Sequence, residues 1–426
     1  MKKNILYLSY YYPPSNSIGA SRSFNQVSAL RAAGHNVKVI HAENDQSRYI
    51  NNPHHIKHTD DISIKPNINT INSAYNKSSN IKHWIVRVFP KAFVSSLLNI
   101  KLLLFGDERN WDTEENFKFV LSLLGEFKPN ILISTSGPIE NHSFCLKFKK
   151  YYQSYWIGEY RDSWSYNPMQ PKTDPSDLMS RMLRLKERFF VKDIDLVLAV
   201  SPMIQEYYQK YFNKKSYLIY SGWLDSAIEL PDPEIIIKNK INKLNILHLG
   251  SMLHGKRSPL PIIKLFEEHT TLRNAFDLFF IGRDTHLFIP ELQKTQHARS
   301  VIRLIPEVNF YQARAEGLNA DILLLLMMDD IGEQHVVTGK IYEYIYLNKP
   351  IIALDSNNSE ASKLIKKYNL GFVCQSLSEL KDQLIELSLV GTLEPDSSNA
   401  RDAFNVVNTM SRLIDYVDQT AFKIIE

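Results

Sequence analysis

The sequence predicts an α/β protein built from two doubly wound parallel-sheet domains that face each other across a cleft. Short apolar runs with the length of buried parallel strands alternate with helical stretches along most of the chain, the pattern of βαβ units. The alternation stops at residues 228–243, where prolines, acids and lysines are mixed, and then restarts. The predicted organisation is a first domain at 1–225, a linker at 226–243, a second domain at 244–400 and a C-terminal helix at 401–426, whose packing partner stays open.

In the first domain, apolar runs and turn residues place the strands and the first helices. The predicted strands are 4–9, 36–41, 130–135, 155–159, 195–200 and 217–220. A helix at 21–33 ends at Gly34, because glycine is the usual residue just after a helix C-terminus, and another helix covers 114–127. Residues 42–80 are polar with little periodicity and are predicted to be irregular surface excursions.

The second domain repeats the alternation of strands and helices. The predicted strands are 245–250, 277–282, 301–305, 322–328, 350–354 and 371–375. A short helix follows Thr338 and ends before Pro350, which cannot continue a helix. One long helix is predicted at about 400–422, after the last strand.

Composition narrows the class of protein. Across 426 residues, 44% hydrophobic and 23% charged content are typical of a soluble globular protein, and a net charge of +4 is too small to indicate nucleic-acid binding. Cys145 and Cys374 stand alone in the two halves, so neither a disulfide framework nor a zinc site is expected, and a reducing cytosol is favoured. The N-terminus lacks the apolar region of a signal peptide, and no run of about 18 apolar residues predicts a membrane span.

The stretch 321–354 carries the first functional hypothesis. A buried strand delivers the chain to a short helix, the usual place for a ligand in an open α/β sheet. Free N–H groups of the first turn, with Thr338 as the predicted N-cap and Lys340 beside it, suit a phosphate. Glu343 lies one turn further, where a carboxylate can accept hydrogen bonds from two ribose hydroxyls. A nucleotide with an attached group is one reading, and an ordinary βαβ unit with a solvated glutamate is the other.

Three more candidates in the second domain follow strand ends. Gly250 ends a strand, and Lys256 and Arg257 follow in the loop before a helix. Two cations there could hold a diphosphate and stabilise the charge that develops on a departing phosphate, or they could be a solvated pair. Arg283 is a weaker candidate for the same role. The pair 329–330 lacks the Asp-x-Asp spacing of metal-dependent sugar transferases, so no metal and no cofactor is expected.

The first domain has candidates at equivalent places. Gly19 lies in the loop after the first strand, where its backbone can approach a ligand, and Arg22 opens the next helix toward a phosphate or acceptor. Arg161 and Asp162 follow another strand end. Asp162 could position or deprotonate an acceptor hydroxyl, or the two residues could be an internal pair that pins a loop. His142 lies near a helix start and could face a sugar, or it could simply be packed or solvated.

Several of these motifs together resemble one enzyme family. They are YYPPSNSIGASR (11–22), ISTSGP (133–138), EYRDSW (159–164), YSGWLD (220–225), LGSMLHGKRSP (249–259) and TGKIYEYIYLNKPI (338–351). In this order, at predicted strand ends and over most of the chain, they resemble the GT-B glycosyltransferases. The closest resemblance is to the retaining Glu-x7-Glu, family 4-like (group 1) enzymes of bacterial capsule, O-antigen and exopolysaccharide synthesis.

The resemblance implies two Rossmann-like domains and transfer of a sugar, with retention, from a UDP- or GDP-linked donor to a glycan acceptor that is expected to be lipid-linked. Glu343 matches the family's second glutamate, which is expected to hold the ribose, and the position of the first is His335, with Glu333 two residues away. The resemblance assigns to the donor Gly19, Gly250, Lys256, Arg257, Arg283, His335, Thr338, Gly339, Lys340 and Glu343. It assigns acceptor binding to Arg22, Arg161 and Asp162. It assigns catalytic roles to Lys256, Arg257, Asp162 and His142.

Two further expectations concern whether the protein is an active enzyme and where in the cell it lies. Since His335 replaces a glutamate that would contact the sugar, an inactive nucleotide-sugar-binding or scaffolding protein is the alternative to an enzyme, and a GT-B epimerase is a more distant one. The stretch Ile81–Gly106 mixes aromatic and basic residues around Pro90, which predicts an interfacial segment on an anionic membrane or, alternatively, core helices with a basic rim. A cytoplasmic protein, peripheral on the inner membrane face, is therefore expected.

Overall fold

A computed structural model describes most of the chain. The described residues are 2–13, 18–43, 61–64, 111–161, 164–165, 178–223, 236–237, 243–252, 257–327, 337–356, 358–391 and 395–420. They form two compact units, the first made of Met1–Tyr220 with Thr409–Glu426 and the second of Ser221–Asn408. No helix in the described ranges is long and apolar enough to cross a bilayer.

The first unit is built on a parallel sheet. Its strands are β1 (Asn4–Ser9), β2 (Asn36–Ala42), β3 (Ile62–Ile64), β4 (Ile131–Thr135), β5 (Tyr155–Tyr160), β6 (Leu196–Ala199) and β7 (Ser216–Leu218). They lie in the order β3-β2-β1-β4-β5-β6-β7, and every pair is parallel. Its helices are α1 (Ile18–Ala32), α2 (Glu114–Leu124), α3 (Glu140–Tyr152), α4 (Leu178–Val191) and α5 (Pro202–Phe212). Central strands such as β4 are buried at every residue, as expected for a sheet covered on both faces.

The second unit repeats this plan with a smaller sheet. Its strands are β8 (Leu244–Leu249), β9 (Phe276–Ile281), β10 (Ile302–Ile305), β11 (Ile322–Leu326), β12 (Ile351–Leu354) and β13 (Gly371–Cys374). They lie in the parallel order β10-β9-β8-β11-β12-β13. Its α-helices are α6 (Leu260–Glu268), α7 (Thr270–Ala275), α8 (Ile289–Gln293), α9 (Phe310–Asn319), α10 (Lys340–Leu347), α11 (Glu360–Lys367), α12 (Leu377–Val390) and α13 (Ser398–Phe404). Helix α14 (Val406–Thr420) begins in this unit and continues into the first.

The observed topology confirms the predicted fold class of two doubly wound parallel sheets. In each sheet the strand order reverses beside the first strand of the unit, between β1 and β4 in one and between β8 and β11 in the other. Ligands of open α/β sheets bind outside the carboxyl ends of the strands at such switch points. A ligand is therefore expected at these two strand ends.

Two local predictions were wrong. Residues 62–64 lie in the range predicted to be irregular, yet they form β3 and pair with β2 at the edge of the sheet. The single helix predicted at 400–422 is two helices, because Asn405 is extended (φ −62°, ψ 133°) and bridges to Trp223. The Trp223 N–H donates to the Phe404 carbonyl, and its indole N–H donates to the Arg401 carbonyl. The break in the helix is therefore held by contacts with a residue distant in sequence.

Candidate functional site

In the second unit, two glycines allow close packing at the carboxyl end of β8. Gly250 follows this strand with φ +119°, and a Cβ there would lie 2.3 Å from Cε and 2.7 Å from Nζ of Lys340. A Cβ at Gly282, which follows β9, would lie 2.1 Å from the Gly250 carbonyl oxygen. Because neither residue has a side chain, the ends of β8 and β9 approach each other and the Lys340 side chain lies directly over Gly250.

His248 holds the ammonium group of Lys340. Its Nδ1 lies 2.9 Å from the Leu324 carbonyl oxygen of β11, and its Nε2 lies 3.1 Å from Lys340 Nζ. Complete burial lowers the pKa of His248 well below its usual value, and the charges of Lys340 and Arg257 lower that pKa further. The imidazole is therefore neutral, and its partners assign the tautomer: Nδ1–H donates to the carbonyl and Nε2 accepts from the ammonium.

Tyr344 ties α10 to the same two strands. Its hydroxyl accepts the Leu249 N–H at 3.0 Å and donates to the Leu324 carbonyl at 3.1 Å. The ring is fully buried, and burial raises the pKa of its hydroxyl. This hydroxyl therefore fixes the first turns of α10, and with them Lys340 and Glu343, against the ends of β8 and β11.

The carboxylate of Glu343 is oriented by an arginine from α9. Arg314 Nε donates to Glu343 Oε2 at 2.8 Å and Nη2 to Oε1 at 3.3 Å. The guanidinium carbon lies 4.5 Å from the Phe310 ring centroid and 3.9 Å from that of Tyr346, and its side chain is 5% exposed. Glu343 remains 29% exposed, so its carboxylate keeps acceptor positions for hydroxyl groups of a ligand.

The remaining donor candidates of this unit are placed as follows. The charge of Arg257 acts on His248, so Arg257 belongs to the same electrostatic field as Lys340. Arg283 forms a surface ion pair with Glu307 at 3.3 Å. The N-cap of α10 is Gly339 and not Thr338, so that prediction was wrong by one residue. Thr338 instead accepts the Ile341 N–H at 3.1 Å through its carbonyl.

In the first unit, Arg161 follows β5 and its guanidinium group binds the backbone that follows β4. Its Nε and Nη2 donate to the Ser136 carbonyl at 3.0 and 2.7 Å, and Nη2 also donates to the Gly137 carbonyl at 3.1 Å. A Cβ at Gly19 would lie 1.7 Å from Arg161 Nη1, so this glycine leaves room for the guanidinium. The structure thus brings together the candidates Gly19 and Arg161, and they contact each other.

Arg22, the other acceptor candidate, is a buried ion-pair partner. Its Nε and Nη2 donate to Glu159 Oε1 at 2.9 and 2.7 Å, and Nη2 donates to the Ile219 carbonyl at 2.9 Å. Gln26 Nε2 donates to the same carboxylate oxygen at 2.5 Å. Burial alone would raise the pKa of Glu159, but Arg22 and Gln26 outweigh it and hold that pKa below its ordinary value. Glu159 is therefore an ionised carboxylate inside the unit, and the role of Arg22 toward an acceptor stays a prediction.

His142 is enclosed in the core of the first unit. Its Nδ1 is hydrogen-bonded to Ser134 Oγ at 2.7 Å, and its ring lies 4.5 Å from that of Tyr160. Full burial lowers the pKa of His142 to about 3, so the imidazole is neutral. In this conformation the side chain has no surface with which to meet a sugar, and the predicted catalytic role has no support from its position.

Several predicted positions lie outside the described residues. They are Asp162, Lys256, Glu333, His335, the pair 329–330 and the segment Ile81–Gly106. Their predicted roles, and metal independence, stay predictions. Three residues of the site were not selected from the sequence, namely His248, Arg314 and Tyr344. A histidine inside a buried strand is a weak signal, and Arg314 has only the stacking partner Phe310 one helical turn earlier as a clue.

Comparison of the whole chain with solved structures shows the same fold in distant proteins. Sucrose-phosphate synthase from Thermosynechococcus elongatus matches with a TM-score of 0.62 and 13% identity, over 98% of this chain and 100% of that one. The apo form of WaaB, a lipopolysaccharide outer core galactosyltransferase, matches with a TM-score of 0.57 and 11% identity, over 99% and 100%. Anabaena HepE, solved in complex with UDP and glucose, matches with a TM-score of 0.56 and 12% identity, over 98% and 100%.

No protein-family model matches the chain, and no curated protein sequence matches it. At identities of 11–13%, the three structures establish the fold of this chain and not its activity. The predicted GT-B architecture, in the sense of two Rossmann-like parallel-sheet units, is confirmed.

Proposed function

We propose that this chain is a glycosyltransferase that takes a nucleotide-sugar donor at the carboxyl ends of β8 and β11. One observation carries the proposal: His248 holds the Lys340 ammonium over Gly250, and Glu343 follows it in the first turn of α10. Residues three apart lie on one side of a helix. A cation and a partly exposed carboxylate on one side suit a diphosphate and the diol of the neighbouring ribose.

The diphosphate would lie against the Lys340 ammonium group. The positive charge of Arg257, which also acts on His248, would add to the attraction for the phosphates. Backbone N–H groups at the start of α10 add a partial positive charge, and the absent side chain of Gly250 lets a ligand approach the backbone. Cations fixed before the reaction stabilise the charge that grows on the leaving phosphate. His248 contributes by remaining neutral, because a charged imidazole would repel the ammonium.

The ribose would be held by Glu343. Arg314 fixes the carboxylate through two hydrogen bonds and carries a compensating charge, so the group is oriented before a ligand arrives. The lone pairs that Arg314 does not use can accept the two ribose hydroxyls in charge-assisted hydrogen bonds. The pair thus pre-organises a diol-binding site.

For the finer assignment, we propose transfer with retention to a lipid-linked glycan acceptor, as part of bacterial surface polysaccharide synthesis on the inner membrane face. The motifs of residues 338–351 support retention, and the likeness to the galactosyltransferase WaaB supports a glycan acceptor. The likeness to HepE, solved with UDP and glucose, supports a UDP-linked donor over a GDP-linked one. Arg22, Arg161 and Asp162 remain the proposed acceptor residues.

The test combines a donor panel with one substitution. The parent protein should hydrolyse or transfer from at least one member of a panel of UDP- and GDP-sugars. Glu343→Ala should weaken binding of the matching free nucleoside diphosphate by one to two decades, since a lost charge-assisted hydrogen bond costs about 1.5–3 kcal/mol. Titration calorimetry measures this affinity, with Glu386→Ala, an exposed carboxylate on α12, as the matched control. Parent-like diphosphate binding by Glu343→Ala would overturn the site.

The alternative is a nucleotide-sugar-binding protein without turnover, and His335 is the observation that favours it. The same experiment separates the two functions. Sugar-nucleotide binding that depends on Glu343, with neither hydrolysis nor transfer on the full panel and with acceptor extracts added, would identify the binding protein. Restoring a carboxylate with His335→Glu should then leave the free-diphosphate affinity unchanged and affect only sugar-bearing donors.

A further inference from the structure

Glu187 of α4 is a completely buried carboxylate that the donor site does not use. Within the described part of the chain, its hydrogen-bond partners are neutral donors. The Tyr208 hydroxyl of α5 donates at 2.5 Å, the Ser165 hydroxyl donates, and so do the backbone N–H groups of Trp164 and Ser165. Three of these four donors belong to two residues that follow β5, so this carboxylate holds the chain where it leaves that strand.

The chain from Arg161 to Ser165, here called the acceptor segment, is anchored at its two ends. Arg161 donates to the backbone that follows β4. Ser165 is buried, contacts Glu187, and has its Oγ 2.7 Å from the Tyr207 hydroxyl. Asp162, a proposed acceptor residue, lies between these anchors in the sequence. Glu187 can therefore act on the acceptor side without touching a substrate.

A second buried carboxylate of the same unit shows what Glu187 lacks. Burial would raise the pKa of Glu159, but Arg22 supplies a cation and holds that pKa below its ordinary value. Glu187 has only its neutral donors, which do not offset burial, and burial raises its pKa to about 7. The two carboxylates therefore differ near neutral pH, where only Glu187 gains and loses a proton.

The groups around Glu187 do not share its titration. Burial raises the pKa of each surrounding tyrosine, so these stay protonated: Tyr160, Tyr207 and Tyr208. His142 of α3 lies against Tyr160 and is neutral, with its pKa lowered to about 3. On α4, the charge of Arg184 acts on Tyr207. Burial lowers the pKa of Lys186, which lies 5.5 Å from the Trp164 ring centroid, and the charge of Glu140 raises it.

We propose that Glu187 is a positioning residue for the acceptor segment: its carboxyl group fixes Trp164 and Ser165, and its proton decides how firmly they are held. The hydroxyls of Ser165 and Tyr208 can turn and accept from a protonated carboxyl group, whereas backbone N–H groups can only donate. This role rests on the proposed function only for the assignment of Asp162 to the acceptor.

The direction of the pH dependence follows from linkage. The folded-state pKa of Glu187 lies above its ordinary value of 4.5, so holding the acceptor segment against Glu187 takes up a proton. The contact is therefore firmest below the ordinary value. It weakens as the pH rises to about 7 and is constant above, where the carboxyl group is ionised in either state.

Hydrogen exchange with mass spectrometry on the full chain tests this, with Glu187→Gln as the isosteric variant that cannot titrate. At each pH, the ratio of the parent exchange rate to the variant rate at Trp164 and Ser165 cancels the intrinsic pH dependence of exchange. This ratio should rise on the order of tenfold per pH unit between pH 5 and 7 and then stay level. A ratio independent of pH would overturn the proposal. The same rise in β6 would also overturn it, since Glu187 would then support the whole unit.

Tyr208→Phe moves the transition if the mechanism is correct. It removes one donor to the carboxylate, so the pKa of Glu187 should rise further and the plateau should be reached about one pH unit higher. Its reference is the double variant Tyr208→Phe/Glu187→Gln, measured at the same pH values. An unmoved transition would show that another group titrates. Circular dichroism confirms that each variant is folded.

Activity separates this role from the proposed function. Glu187→Ala should lower the ratio of sugar transfer, with a bacterial lipid extract as acceptor, to donor hydrolysis on the order of tenfold, and Glu187→Gln should retain most of it. Both variants should bind free UDP like the parent, because Glu343 and Lys340 belong to the other unit. Weaker UDP binding, or an unchanged ratio in Glu187→Ala, would overturn the positioning role. A parent without any turnover would refute the enzyme instead, and the exchange experiment would still decide whether Glu187 holds the segment.

Discussion

Charged residues near the strand ends of the two sheets are used in opposite ways. In the first unit, the cation of Arg22 and the carboxylate of Glu159 pair with each other in full burial, and Arg161 donates to backbone carbonyls. In the second unit, Glu343 pairs with Arg314 but stays partly exposed, and Lys340 is also partly exposed. Charged residues near the strand ends therefore serve internal structure in one unit and leave a surface open to a ligand in the other.

The difference teaches that a charged residue at a strand end is not by itself a binding residue. What matters is whether its hydrogen-bonding capacity is used inside the protein. Arg22 and Glu159 use theirs within the unit, so we expect their loss to appear in stability. Glu343 and Lys340 keep an exposed side, so we expect their loss to appear in ligand binding.

The largest expected effect is that of Arg22→Ala. It leaves the Glu159 carboxylate buried without its cation, which should destabilise the first unit by about 3–5 kcal/mol. Arg314→Ala is the matched change in the second unit and should cost less, about 1.5–3 kcal/mol, because water can reach Glu343. Hydrogen exchange with mass spectrometry measures each unit separately. Equal losses in the two units would contradict the comparison.

The effect of Arg22→Ala should also depend on pH. The folded-state pKa of Glu159 is lowered, so its contribution is fully present above the unfolded-state pKa and is lost as the pH falls through the folded value. In the variant, a protonated Glu159 is less costly to bury than an ionised one. The stability difference between parent and variant should therefore shrink in acid, and urea titrations across the acid range measure it.

A smaller loss is expected for Gly282→Ala. Its Cβ would meet the Gly250 carbonyl oxygen at 2.1 Å, and a backbone atom cannot move aside cheaply, so we expect a cost of about 1–3 kcal/mol together with weaker diphosphate binding. Gly391→Ala is the control, because that residue has φ +82° but no atom within 4 Å of the added Cβ. The control should lose some stability through its backbone conformation and keep parent-like binding.

The smallest expected effect concerns the support of Lys340. His248→Asn can keep a donor near the Leu324 carbonyl and loses the acceptor for Lys340 Nζ, so diphosphate affinity should fall five- to tenfold, about 1 kcal/mol. His248→Gln places an acceptor nearer the Nε2 position and should recover most of this loss. Titration calorimetry on both variants measures the two diphosphate affinities. Equal affinities for the two variants would show that His248 acts through packing alone.

The fold was predictable because it depends on local patterns. Buried parallel strands are short apolar runs, and nearly every strand was found within a few residues of its predicted place. The two errors have one physical cause, which is that contacts distant in sequence decide them. Strand β3 forms only because β2 offers a sheet edge, and the helix break at Asn405 depends on Trp223.

The candidate site was only half predictable. Glycines and charged residues beside strand ends are visible in the sequence, and so Gly250, Lys340 and Glu343 were selected. Whether a polar residue is satisfied internally is not visible, since Glu159 lies far from Arg22 in the chain and could not be paired with it beforehand. For the same reason, His142 was selected and proved buried, whereas Arg314 was passed over.

The path of α14 has a consequence for synthesis of the protein. The chain leaves the first unit after Tyr220 and returns at Thr409, where the Tyr416 hydroxyl meets that of Tyr155 at 2.8 Å and its ring lies 4.8 Å from that of Tyr217. The second unit is thus an insertion within the first. On the ribosome, where domains generally fold in order of emergence, the inserted unit can complete itself while the earlier one still lacks its final helix, so the part made first is finished last.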